Sequence, residues 1–519
     1  MIHIKTKSYK WPSLIDSTQL NADVAYGENN LLNTDISLMH FGKRWHIGAS
    51  NKLLVSDGER FNNPSFPAVS SAPERFDTDF KMQTFSINGG YRLKDGTKIT
   101  GRYGFDTRDF NAKFFYTGNP FDESRENIQT HWAQVNIKKD IFRRKDLTNL
   151  SPQNNPDFLN RSFEINLGYR NTQDTFAFNP LFAPNIHEMQ KWAVSLNKNY
   201  QTSRSFNLAF GAQGELRQIQ STDRGNHEEI DAGLYLIAQK SFKDKVYATF
   251  SQRLAYHTNF DFAYLPQLSI SVPHKKWHFK GSVGKSIRAA DFTERFVSFN
   301  IPNLTPGRNA GNPDLQEEIS WAGDLSAALK INSNHRFEFT AFARTSTNLI
   351  DYTLTNSNEI NNLPNLQPNQ EYLYSQNFQS AETQGIEISY FVSKRIKQFK
   401  LNGNLNYTYL ATQSSGGVPS KYISNHPTNN IGGQVVLGYR KLSLTIQGNY
   451  INRNGEVLPL INGEVPNEYV LLNPKVSFNA KENLTLYIQA NNALDQQYQE
   501  ILGAPMPGRW IFGGVRFKL

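Results

Sequence analysis

Side chains of alternating polarity recur along nearly the whole of this 519-residue chain. In 85–93 (FSINGGYRL) the odd positions are apolar or small and most even ones are polar. The stretches 401–409 (LNGNLNYTY) and 442–450 (LSLTIQGNY) repeat the pattern. Near the end, Leu484, Leu486, Ile488 and Ala490 alternate with Thr485, Tyr487 and Gln489, and Ile511, Gly513, Val515 and Phe517 alternate with Phe512, Gly514 and Arg516. A period of two sends one set of side chains to each face of a strand. No long amphipathic helix competes with it, so the expected class is all-β.

Composition narrows the solvent. Hydrophobic residues make up 38% of the chain, yet aromatics reach 13%. That many aromatic residues excludes a disordered chain. No apolar run approaches the 18 or so residues a membrane helix needs. Cysteine is absent, which removes disulfide scaffolds, thiolate metal sites and cysteine nucleophiles. The net charge of +9 comes from scattered Lys and Arg; the densest cluster, Arg143-Arg144-Lys145, is too small for a nucleic-acid footprint. MIHIKTKSYK has no apolar core and no cleavage site, so it does not read as a signal peptide.

A soluble sandwich also alternates, but three features point to a membrane barrel. The segments 96–116, 335–352 and 371–392 exceed ordinary strand lengths. Their polar face is rich in Asn, Gln, Ser and Thr, as a wet lumen requires. The connectors sort by parity. Short ones fall at 42–44, 93–96, 202–204, 242–245, 273–276, 332–334, 393–397, 440–441 and 481–483. Longer polar ones fall at 58–78, 105–127, 173–188, 219–227, 289–314, 353–370, 411–428, 454–467 and 494–508. The stretch 141–160 is long but lies on the short side. The prediction is a transmembrane antiparallel β-barrel of about 22 strands, with short periplasmic turns and long extracellular loops.

Several segments resemble TonB-dependent outer-membrane receptors. Residues 2–7 (IHIKTK) look like the strand that closes the family's plug domain. The stretch 286–296 (SIRAADFTERF) resembles an Arg-x-Pro-x-Phe-x-Glu segment, with Ala290 and Arg295 off pattern. Residues 311–318 (GNPDLQEE), 377–387 (NFQSAETQGIE) and 491–498 (NNALDQQY) are similar to three later family stretches, and 505–509 (PMPGR) leads into the last strand. Locally, Asn312-Pro313-Asp314 is turn chemistry, and Gly385 relieves crowding in a strand. These residues are signatures of architecture more than of chemistry.

The resemblance implies a plug remnant at 1–8 and a receptor barrel at 9–519, the plug itself and its energy-coupling segment not being in this sequence. The chain ends in Leu519 where the family favours Phe; Phe517 lies two residues earlier on the same face. The implied function is uptake of a scarce metal chelate, most simply a ferric siderophore, across a Gram-negative outer membrane. Cobalamin or haem uptake and a plugless porin-like channel are the alternatives. The implied partners are the chelate, the TonB complex through the N-terminal region, outer-membrane lipid and the barrel-assembly machinery, with no nucleic acid. No resident cofactor, no metal site and no enzyme constellation is expected.

Ligand contacts are expected in the outward loops. The loop 105–123 gathers Arg108, Phe110, Lys113, Phe114, Phe115 and Tyr116, a set suited to a flat anionic chelate by stacking and cation–π contact. An aromatic girdle with loop packing is the competing explanation. Arg295 and Arg308, near the 289–314 loop, would add attraction for an anion.

Overall fold

The computed structural model describes residues 16–63, 68–114, 119–141, 161–414, 427–453, 467–501 and 504–519. Residues 1–8, expected to be the plug remnant, lie outside that set, as does most of 141–160.

Successive strands pair antiparallel with their chain neighbours, and the ring then closes. The first strand, Ser17–Gly27, pairs with the last, Trp510–Lys518, in the register Val24↔Val515. Leu519 adds two backbone hydrogen bonds to Leu20, at 2.8 and 3.1 Å. Twenty-two strands form the wall. The sheet counts a further short strand, Asn309–Ala310, which lies parallel to Leu373–Tyr374 where Glu371–Ile396 outruns its next neighbour. Among the described residues the one α-helix is Phe292–Phe296.

Alternation resolves into two different surfaces. Outward positions carry Trp45, Ile47, Phe85, Ile87, Leu234, Phe250, Leu254, Trp321 and Leu325, all exposed. Inward positions carry small polar groups that bond across neighbouring strands. Ser50 pairs with Ser86 at 2.8 Å, Thr130 with Thr172 at 3.2 Å, and Ser320 with Ser346 at 2.9 Å. Asn136 donates to Asn166 (2.6 Å), which donates to Ser195 (3.0 Å). An apolar outside around a polar inside is the inverse of a soluble core. It is stable where lipid bathes the outside, and there every backbone group must be paired within the ring.

One end of the barrel is built from tight turns. Lys243 and Asp244 both have positive φ, 51° and 54°, the primed turn geometry within the three-residue connector 243–245. The other end carries the longer connectors, including 57–79, 289–317 and 492–509. Sorting by parity is incomplete, however. On the loop end, 28–30, 222–224 and 258–260 have three residues each, as few as the 42–44 turn opposite. The expected loop at 105–127 also starts later, because strand Lys98–Asn111 continues through Asp106 and Arg108. Polar residues there face the lumen, so polarity did not mark the strand's end.

Candidate ligand-binding site

Two regions at the loop end concentrate functional chemistry: an inner-wall groove and the packed loops above it.

The groove crosses Phe80–Arg92, Lys98–Asn111, Arg125–Asp140, Arg161–Ala177 and Asn185–Ser203. Its volume is about 640 Å³, and its lining includes Asp106, Arg108, Thr130, Trp132, Arg170 and Lys191. Gly104 stands directly opposite Trp132 in the ladder. A Cβ on Gly104 would fall inside the indole, so the glycine lets that ring lie against the wall. Arg102 stacks on the same ring, 4.5 Å from its centre. Asp106 accepts from the Thr84 hydroxyl at 2.6 Å and from Arg108 Nε at 2.9 Å. Arg170 donates to Thr172 at 3.1 Å, and Lys191 pairs with Glu215 at 2.7 Å. Arg108, Arg170 and Lys191, with an indole face and threonine hydroxyls, suit a polar, anionic ligand with an aromatic surface.

Above it, the motif segments converge. Asp291 caps the short helix, and Glu294 returns a bond to the Asp291 backbone, a reciprocal capping box. Arg288 Nη1 bonds both oxygens of Glu294, and its Nη2 bonds Glu318 at 2.7 Å. Burial pushes the Glu294 carboxyl up, against the pull of its backbone bond and of Arg288. Arg295 donates to the Pro313 carbonyl (2.9 Å), to Glu229 (3.1 Å) and to Asn259 (2.7 Å). Asn377 bonds the Gln316 and Asn348 carbonyls at 3.0 and 2.8 Å and accepts from Gln316 N. Asn362 reaches Asn312 and Asp314 at 2.8 and 2.9 Å. Tyr372, fully buried, donates to the Leu304 carbonyl at 2.9 Å within a small core of Leu304, Ala310, Ile360 and Leu363.

The expected contact residues are dispersed over these regions. Arg108 lines the groove, and Phe110 follows two positions on, on the same strand face, opposite Phe80. Lys113 is half-buried, and its charge helps hold Asp77 ionised after the stronger effect of the Arg60 bond. Phe114 is buried against Phe61 and Phe76, with its ring 4.7 Å from Phe76. Phe115 and Tyr116 lie outside the described residues. Arg295 ties loop to wall, and Arg308 is exposed with its charge near Asp223. Trp132, Arg170 and Lys191 were not singled out from the sequence; the parity of their positions, on the polar faces of long strands, was the available signal. Among the described residues no cluster of His, Asp and Glu suits a metal ion.

Residues 17–493 match the family described as TonB dependent receptor-like, beta-barrel. The chain belongs to that family. TonB-dependent receptors are transport proteins of the Gram-negative outer membrane, and solved structures of the same build resemble this barrel. The ferric enterobactin receptor PfeA from Pseudomonas aeruginosa, in complex with enterobactin, is similar at 12% identity with a TM-score of 0.74, over 97% of this chain and 81% of that one. The siderophore receptor PirA from Pseudomonas aeruginosa gives 12% and 0.69, over 98% and 81%. The FrpB iron transporter from Neisseria meningitidis gives 12% and 0.73, over 98% and 82%. At such identity the likeness is one of fold. No curated protein matches the sequence.

Proposed function

We propose that this chain is the barrel of an outer-membrane receptor that takes up a metal chelate, most simply a ferric siderophore, with energy supplied through the TonB complex. The observation that carries this is the inner-wall groove, whose lining brings Arg108, Arg170 and Lys191 together with Trp132. Cations and an indole together favour a chelate that is both anionic and aromatic. The structural neighbours include siderophore receptors and an iron transporter, proteins for the same ligand class. In this orientation the tight turns face the periplasm and the long connectors face outward.

Uptake of iron from a panel of chelates, with and without the gene, tests the proposal. Growth on one chelate that disappears with the gene supports it. Unchanged growth on every ferric chelate, with lost growth on haem or cobalamin, transfers the assignment to those ligands. A large steady conductance in planar bilayers, with no ligand dependence, favours the porin-like channel.

A further inference from the structure

The two ends of the barrel carry opposite charge. Counting only described connector residues, the tight turns hold eleven Lys and Arg against Asp95, Asp244 and Glu482, eleven less three, a surplus of eight positive charges. The connectors of the loop end hold seven Lys and Arg against sixteen Asp and Glu, a deficit of nine by the same count. Six of the eleven cations come in adjacent exposed pairs: Lys43-Arg44, Lys275-Lys276 and Arg440-Lys441.

A second feature fixes their depth. Trp45, Tyr91, Phe242, Trp277, Phe399 and Tyr439 all point outward, between 40% and 59% exposed, and each lies within two residues of a tight turn. Trp277 stacks on Phe279 at 5.7 Å and Phe399 on Tyr439 at 4.5 Å, while Arg440 reaches over the Tyr439 ring. Outward aromatic rings settle at the boundary between hydrocarbon and headgroups. A residue one or two places further along a strand lies a few ångströms beyond, since each adds about 3.3 Å. The paired cations therefore stand at the level of the lipid phosphates.

We propose that the tight-turn end is a docking collar for anionic glycerophospholipid, of the phosphatidylglycerol class, in the leaflet facing the periplasm. The choice of leaflet rests on the orientation given under Proposed function; the lipid preference itself does not. Each paired cation meets a headgroup phosphate while the neighbouring aromatic ring covers the glycerol region. The acidic opposite end repels the same lipid, so the protein distinguishes the two leaflets by charge.

Native mass spectrometry of the detergent-purified protein, titrated with phosphatidylglycerol and with phosphatidylethanolamine, reads the preference directly. The native chain is expected to retain phosphatidylglycerol at least about fivefold better, as several basic contacts at a membrane surface imply. A variant with K43Q, R44Q, K275Q, K276Q, R440Q and K441Q should bring that ratio close to one, while R60Q with R75Q at the other end leaves it unchanged. Heat-modifiable gel mobility checks that each barrel is closed, and if the sixfold variant does not close, K275Q with K276Q alone should lower the ratio about twofold. Equal retention of the two lipids by the native chain overturns the proposal. So does an undiminished ratio in a closed variant, or competition by free glycerol phosphate as strong as by the lipid. None of these results depends on chelate uptake, so a failed lipid preference and a failed transport assignment are told apart.

Discussion

Arg295, in the loop 289–317, bonds Glu229 in the barrel wall at 3.1 Å, across 66 positions of sequence. Glu229 is almost fully buried, and Arg217 lies 3.6 Å from its other oxygen. A buried carboxylate held by two guanidinium groups anchors the loop to the wall.

Removing Arg295 leaves Glu229 with Arg217 alone and cuts the tie to the loop. Arg295→Met should loosen the 289–317 segment by about 2 kcal/mol, the usual worth of a hydrogen bond to a charged group. Hydrogen exchange should rise in 289–317 and around Glu229, with the far side of the barrel unchanged. Unaltered exchange at both places would show that the pair does not hold the loop.

The groove cations should act on affinity. Arg108→Gln and Lys191→Gln are each expected to weaken binding of the transported chelate about fivefold, a little under 1 kcal/mol for a partly solvated charge. Quenching of tryptophan fluorescence during titration measures it. Wild-type affinity in both variants would remove the groove from the binding site.

Gly104→Val drives a side chain into the space of the Trp132 ring. The indole must leave the wall, at an expected loss of about 1–3 kcal/mol in stability from overpacking. Its emission should shift and chelate binding should fall. A variant with native emission would mean the ring is not held flat.

At the tight-turn end, Lys139 and then the Thr97 amide hold the Asp95 carboxyl down at about 2, against an ordinary 3.8. A depressed carboxyl stabilises the folded turn above its ordinary value, and that contribution is lost as pH falls from 3.8 towards about 2. Amide exchange at 93–97, corrected for its intrinsic pH dependence, should therefore accelerate across that window in the native protein and not in Asp95→Asn. Parallel profiles for the two proteins would contradict the assignment.

Tyr372→Phe removes a hydroxyl that donates to the Leu304 carbonyl and accepts from Gln367 N. The buried Leu304 carbonyl and the half-buried Gln367 amide lose their partner, at an expected cost of about 2 kcal/mol within the loop core. Proteolytic cleavage in 357–370 should quicken. Cleavage at the native rate would show that the hydroxyl is dispensable.

What was legible in the sequence is what is local. Alternation and turn residues such as Lys243-Asp244 act over two to four positions, so the barrel, its strand number and most turns followed from them. The end of Lys98–Asn111 did not follow, because Asp106 and Arg108 are polar for facing a lumen and not for leaving the strand. Arg295, off the family pattern, gains its role from Glu229, Asn259 and Pro313, partners brought near only by closure of the ring. Phe114, weighed between ligand contact and loop packing, is buried by Phe61 and Phe76 from a different connector, which no local signal names.

The seam between Ser17–Gly27 and Trp510–Lys518 sets an order of events. Every other neighbouring pair of wall strands is joined by a connector and can zip as its two halves emerge. The seam must wait for ends of the chain as far apart as Asp23 and Arg516, 493 positions. Until then both flanking strands have open hydrogen-bonding rows that hydrocarbon will not solvate. The barrel must therefore insert either with its seam shielded by another protein or with its last strand already in place, and slow folding should show as an accumulated species with only this one pairing unmade.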